Sequence, residues 1–210
     1  MPSPGRHRRD ARGTYSRGMT QPHILAFAGS LRKDSFNKKL ISIAAAGAAA
    51  AGAAVTQIDL RDYPLPIFDE DLESESGLPE NAQKLKKLFI EADGLLIASP
   101  EYNSSMTAVL KNSIDWVSRP APNEAPLAAF NNKIITLMSA SPGALGGLRG
   151  LVHVRAMFGN LNAIVLPGQV AISKAHEAFS PDGPLNDPRQ QANVEKLGAT
   201  LAAAIAKWNA

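Results

Sequence analysis

Cysteine is absent from the 210 residues. Disulfides, iron–sulfur ligation and cysteine nucleophiles are excluded with it, and a reducing compartment, the cytoplasm, is the expectation. Histidine is scarce: His7, His23, His153 and His176 show no metal-ligand spacing, and His153, in the middle of an expected helix, reads as structural. No apolar run approaches the ~20 residues that a membrane-crossing helix needs. The N-terminal segment has no apolar stretch either, so it does not read as a secretory signal.

The net charge is +3, which raises the question of nucleic acid. Residues 1–18 carry Arg6, Arg8, Arg9, Arg12 and Arg17 against Asp10, a net of +4. The remainder is then at −1. The basicity belongs to a tail and not to a folded surface, which argues against a nucleic-acid partner. Residues 1–21 are expected to be a disordered basic extension, and residues 22–210 a single domain.

Strand and helix patterns alternate along that domain. Ile24–Ala28, Val55–Leu60, Gly94–Ser99, Lys133–Ser139 and Ala163–Leu166 read as strands. Ser35–Ala51, Asn81–Ala92, Ser104–Ser118, Gly147–Gly159 and Pro188–Trp208 read as helices. The acidic stretch "RDYPLPIFDEDLESESGLP" and residues 167–187 read as loops. Strands that are apolar throughout are covered on both faces, as in a parallel sheet. Five β-α units predict a doubly wound α/β fold. The run "AAAGAAAAGAA" predicts a helix packed at close range.

In such a sheet, ligands sit beyond the carboxyl ends of the strands. Three loops there carry chemistry. In "GSLRKDSFNKKL" a strand feeds a helix N-terminus past Ser30, Arg32, Ser35 and Asn37. Hydroxyls, an amide and a guanidinium beside free helix N–H groups suit a phosphate monoester. The same turn also reads as a plain N-cap by Ser35 beside a solvated arginine. It is neither G-x-G-x-x-G nor a P-loop. "SPEYN" fixes its backbone at Pro100 and offers the Tyr102 ring and the Asn103 amide to a planar ligand with polar edges, or makes a tight turn capped by Asn103 or Ser104. "SASPGALGGLRG" bares backbone at Gly143, Gly146 and Gly147, either for a ring edge or as simple punctuation.

Taken together, "GSLRKDSFNKKL", "LPIFDEDLE", "SPEYNSSMTAVLKNSIDW", "SASPGALGGLRG" and "FSPDGPLND" resemble the NAD(P)H-dependent FMN reductase family, the flavodoxin-like branch with quinone, azo-dye and chromate reductases. The resemblance covers roughly residues 24–208. It implies a flavodoxin-like three-layer sandwich around a five-stranded parallel sheet in the order 2-1-3-4-5. It implies FMN, with NADPH or NADH as co-substrate. Ser30, Arg32, Ser35 and Asn37 would hold the phosphate. Pro100, Glu101, Tyr102 and Asn103 would line the isoalloxazine. Ser141, Gly143, Gly146 and Gly147 would approach its other edge. It also implies a homodimer or homotetramer, with "LKNSIDWVS" in the interface; Trp116 fits that interface or the core.

The implied reaction is hydride transfer from NAD(P)H to N5 of FMN, then electron transfer to a small acceptor such as a quinone, flavin or azo compound. The chain offers no convincing nucleophile or metal site, which suits a cofactor that carries the chemistry. Asp69, Glu70, Asp71, Glu73 and Glu75 read as a solvated loop or a subunit contact rather than a cation site. Arg149 and Arg155 are candidates for a 2′-phosphate, or plain surface arginines. The principal rival is a flavodoxin-type electron carrier without NAD(P)H oxidase activity. Arg32 in the phosphate turn and the near-neutral body stand against it.

Overall fold

A computed structural model describes residues 21–210; the expectation of a disordered basic tail lies, but for Gln21, outside the described residues. In chain order the elements are β1 (His23–Ala28), α1 (Phe36–Ala50), β2 (Ala54–Asp59), a 3-10 turn (Leu60–Asp62), α2 (Glu70–Ser76), α3 (Glu80–Glu91), β3 (Gly94–Ala98), α4 (Ala108–Ser118), β4 (Ile134–Ala140), α5 (Leu148–Asn160), β5 (Ile164–Ile172), α6 (Ala175–Ala178) and α7 (Pro188–Trp208). The sheet is parallel, in the order β2-β1-β3-β4-β5. The fold is the expected flavodoxin-like doubly wound sandwich.

The two faces of the sheet are packed differently. Ile24, Ala26 and Ala28 of β1 point toward α1 and α7, while Leu25 and Phe27 point toward α3, α4 and α5. Aromatic rings fill the second face, in a chain from Phe27 to Phe89 (5.5 Å between centroids), Phe130 (5.6 Å) and Phe158 (6.0 Å). Small residues dominate the first. There α1 and α7 cross at two glycines. A Cβ on Gly47 would lie 2.1 Å from the Glu195 carbonyl oxygen, and one on Gly198 would lie 1.9 Å from that of Ala44. The Ala-rich run is thus the close-packed helix that was expected, and α7 is the element that most needs its smallness.

Three local readings differ from the sequence-based ones, and a fourth, left open between two alternatives, is decided. The acidic stretch forms the short helix α2, in which the Asp69 side chain caps the Asp71 N–H at 2.8 Å. Glu73 on that helix pairs with Arg119 at 2.8 Å. The fifth strand does not stop at Leu166 but runs through Pro167 and Gly168 to Ile172, with a register shift opposite Ile135–Leu137. Pro167 and Gly168 fall within that irregularity, between the paired Val165 and Gln169, where a missing N–H breaks no ladder. A short helix, α6, lies within the stretch read as a loop. Trp116 is core: it is fully buried, its Nε1 donates to the Pro66 carbonyl at 2.8 Å, and Phe68 meets it edge-on at 5.0 Å.

Replacing Gly198 with alanine tests the helix crossing. Alanine gains about 1 kcal/mol in helix propensity, yet its Cβ meets backbone that cannot swing away. The expected net effect is a loss of about 1–3 kcal/mol in urea unfolding.

Candidate functional site

β1, β3 and β4 end side by side. Ala28 pairs with Ala98, and Ala98 with Met138. The ladder continues one step past the strands, with the Gly29 N–H on the Ala98 carbonyl (2.9 Å) and the Ser99 N–H on the Met138 carbonyl (2.8 Å). The three loops singled out in the sequence therefore leave one edge, at the point where strand order reverses.

A cleft of about 80 Å³ lies between them. Ser30, Arg32, Ser35, Phe36, Asn37, Pro100, Glu101, Tyr102, Ala140 and Ser141 are in its wall. Ser30 and Ser35 are buried, as is Asn37. Arg32 is exposed, its guanidinium 5.6 Å from the centre of the Phe36 ring and 2.7 Å from the Asp34 carbonyl. Phe36 in turn stacks on Phe179 at 5.9 Å, which gives the "FSPDGPLND" segment a part in presenting Arg32. α1 begins here without a side-chain cap and without an acidic residue in its first turn. Helix N–H groups, two hydroxyls and a guanidinium form an anion-binding donor set. Its chemistry fits a flavin phosphate.

The second loop is a tight turn. Tyr102 and Ser105 exchange backbone bonds of 2.9 and 3.0 Å, and both Asn103 and Ser104 between them have positive φ (50° and 66°). Asn103 is thereby at the exposed tip of the turn and outside the cleft wall. The helix begins later than expected. Its cap is Thr107, which accepts from the Leu110 N–H at 3.2 Å and donates to the Gly29 carbonyl at 2.7 Å. Thr107 thus ties the second loop to the first, a role that sequence reading missed. Threonine before an apolar helical run was the available signal.

Glu101 ties the second loop to the third. Its side chain is 8% exposed; Oε1 takes the Arg149 Nη2 at 2.7 Å, and Oε2 takes the Gly150 N–H at 3.0 Å. It serves as the side-chain cap that α5 lacks in its own sequence. Burial would raise its pKa, but the Gly150 N–H and the Arg149 guanidinium outweigh that and hold the carboxyl below its usual range. Arg149 is therefore engaged with Glu101. Arg155 is engaged with β5, donating to the Leu166 carbonyl (2.8 Å) and the Gln169 side chain (2.9 Å).

In the third loop, Ser141 accepts the Gly143 N–H at 3.2 Å. Gly146 and Gly147 both have positive φ. Their open sides face protein: a Cβ on Gly146 would lie 2.7 Å from the Ile172 backbone, and one on Gly147 would lie 1.9 Å from Ser139 Oγ. These two glycines let the loop lie flat on the strand ends. Gly143 faces open space, its nearest neighbour 3.6 Å away. Around the loops, Tyr102, Leu145, Leu148 and Val152 are exposed apolar side chains. A wider cleft of about 610 Å³ between α3 and the loop after α4 shares no residue with these three loops. Among the described residues no group of three or more His, Asp or Glu is placed to hold a metal ion, and no helix is long and apolar enough to cross a membrane.

Comparison with known proteins bears on what the cleft holds. Residues 22–177 match the family model described as NADPH-dependent FMN reductase. The chain is 33% identical over 175 residues to an NAD(P)H-dependent FMN reductase of Pseudomonas aeruginosa, covering 82% of this chain and 89% of that protein. It is 35% identical over 143 residues to a quinone reductase of Escherichia coli, covering 68% of this chain and 72% of that one. Among solved structures, a flavoenzyme NAD(P)H:(acceptor) oxidoreductase of Paracoccus denitrificans superposes with a TM-score of 0.75 at 25% identity, over 89% of this chain and 98% of the other.

Two substitutions probe the loop ties. Thr107→Val removes the helix cap and strands the Gly29 carbonyl; thermal unfolding is expected to report a loss of about 1–2 kcal/mol. Glu101→Gln costs about 1 kcal/mol at neutral pH, since it leaves the Arg149 charge unpaired and the α5 dipole uncapped. The Glu101 pKa is lower in the folded state, so its contribution is complete above the ordinary value of 4.5 and is lost as pH falls below it. The difference between wild type and Glu101→Gln should therefore shrink in acid.

Proposed function

The chain belongs to the NADPH-dependent FMN reductase family, and from that premise we propose that it is an NAD(P)H-dependent FMN oxidoreductase that reduces a quinone or similar small acceptor at the edge formed by β1, β3 and β4. The observation that carries this reading is the convergence of three loops on one cleft whose donors suit a phosphate. Bound there, FMN would supply the redox chemistry, as hydride acceptor from NAD(P)H and two-electron donor to the small acceptor.

The residues of the chain bind and orient. Ser30, Ser35 and Arg32, with the first N–H groups of α1, would hold the phosphate, and Asn37, buried beside them, lines the same cleft. Pro100 fixes the backbone from which Tyr102 presents its ring. Glu101 acts from beneath, by fixing the third loop. Ser141 offers its hydroxyl to the ring edge, and Gly143, whose N–H is engaged with Ser141 Oγ, keeps the approach clear of a side chain. Gly146 and Gly147 shape the loop that does so, and Asn103 shapes the turn before α4. The E. coli relative's name supports the quinone acceptor.

The cleft of about 80 Å³ is far below the ~300–1,000 Å³ of a pocket that encloses a whole ligand. It takes one end of the cofactor and leaves the ring across open loops. The exposed apolar rim of Tyr102, Leu145, Leu148 and Val152 suits cover by a second copy. A homodimer or homotetramer acting on small molecules in the cytoplasm is the reading these features support.

Purified protein with added FMN should oxidise NADPH anaerobically in the presence of a benzoquinone. Arg32→Ala should raise the FMN requirement about tenfold, as expected for one lost charge-assisted contact. Tight FMN binding without NADPH oxidation would indicate an electron carrier instead; no FMN binding would overturn the reading.

A further inference from the structure

Asn37 is the second residue of α1 and belongs to the phosphate turn, yet it is only 3% exposed. Its amide meets both backbone polar groups of one residue, Ala140. Nδ2 donates to the Ala140 carbonyl at 2.8 Å, and Oδ1 accepts the Ala140 N–H at 3.0 Å. The two residues are 103 apart in sequence. Ala140 is the last residue of β4, and the third loop departs from the sheet immediately after it. The Ser141 N–H on the Ile172 carbonyl, at 3.0 Å, anchors the loop on its other side. A bidentate amide of this kind does what the backbone of a neighbouring strand would do. It leaves little freedom in the spacing between the first loop and the third, and breaking it would strand two buried backbone groups.

Resting on the flavin-site reading above, we propose that Asn37 is a positioning residue, which sets the third loop in register with the phosphate turn rather than binding the phosphate itself. The two roles differ in which ligands they affect. A phosphate ligand matters only to molecules that carry a phosphate. A residue that positions the third loop matters to any flavin that touches that loop, with or without one.

The test compares FMN with riboflavin, the same flavin without its phosphate, by flavin fluorescence titration on the full chain. Arg32→Ala should weaken FMN about tenfold and leave riboflavin unchanged. Asn37→Ala should weaken both by a similar factor, about tenfold. Asn37→Leu, of similar volume, uncharged and without either polar group, should weaken both as well. Val194→Ala, a cavity in the α7 core away from the loops, should lower the melting temperature and leave both affinities alone. Loss of FMN affinity alone in the Asn37 variants would make Asn37 a phosphate ligand and overturn the proposal. So would unchanged affinities, or equal losses in Val194→Ala, because affinity would then only follow stability. A wild type that binds neither flavin would overturn the site reading itself, and this proposal with it.

Discussion

The strand ends of a parallel sheet present backbone that has lost its ladder, and in this protein three buried side chains take up the slack. Thr107 joins the second loop to the first through the Gly29 carbonyl. Asn37 joins the first to the third through both polar groups of Ala140. Glu101 joins the second to the third through the Gly150 N–H and Arg149. The Thr107 and Asn37 bonds are buried, so each is costly to leave unmade; the Glu101 tie is partly open to solvent on its Arg149 side. The result is a closed ring of ties around a small cleft. Segments that would otherwise be independent loops become one rigid floor, which is what a cofactor needs for orientation.

That floor depends in turn on how the layers beneath it are packed. The aromatic chain from Phe27 to Phe158 fills the side of the sheet that carries α3, α4 and α5. On the other side, glycine and alanine bring α7 against α1. α1 is the helix whose N-terminus faces the cleft, so the crossing at Gly47 and Gly198 also sets where the phosphate turn lies. Packing in the core and geometry at the site are here one constraint.

Several motifs that stand out in the chain are tied to one another. Trp116 and Asn112 of α4 hold the Pro66 carbonyl, and Asn112 also receives the Phe68 N–H at 2.8 Å. Phe179 supports Phe36, and Phe36 supports Arg32. The segments "LPIF" and "FSPDGPLND" thus act at a distance from the cleft, by holding the elements that form it.

The strands were legible without a structure, because residues buried on both sides of a sheet must be apolar throughout, and so was the donor-rich turn before α1, because hydroxyls and an arginine before a helix are local chemistry. What was misread or left open lay where a local signal met a distant partner. Pro167 and Gly168 read as a strand end, yet they lie in a register shift where no ladder bond is lost. Trp116 fitted an interface or a core equally well until Pro66 supplied its acceptor. Asn37, Glu101, Gly146 and Gly147 were all visible as polar or bare positions near a ligand. Only the folded chain shows that the first two lock loops together and that the last two turn their open sides to protein. Residue type and spacing are properties of the chain alone. What a buried polar group pairs with is set by residues about fifty to a hundred positions away, and that is decided only when the strands come side by side.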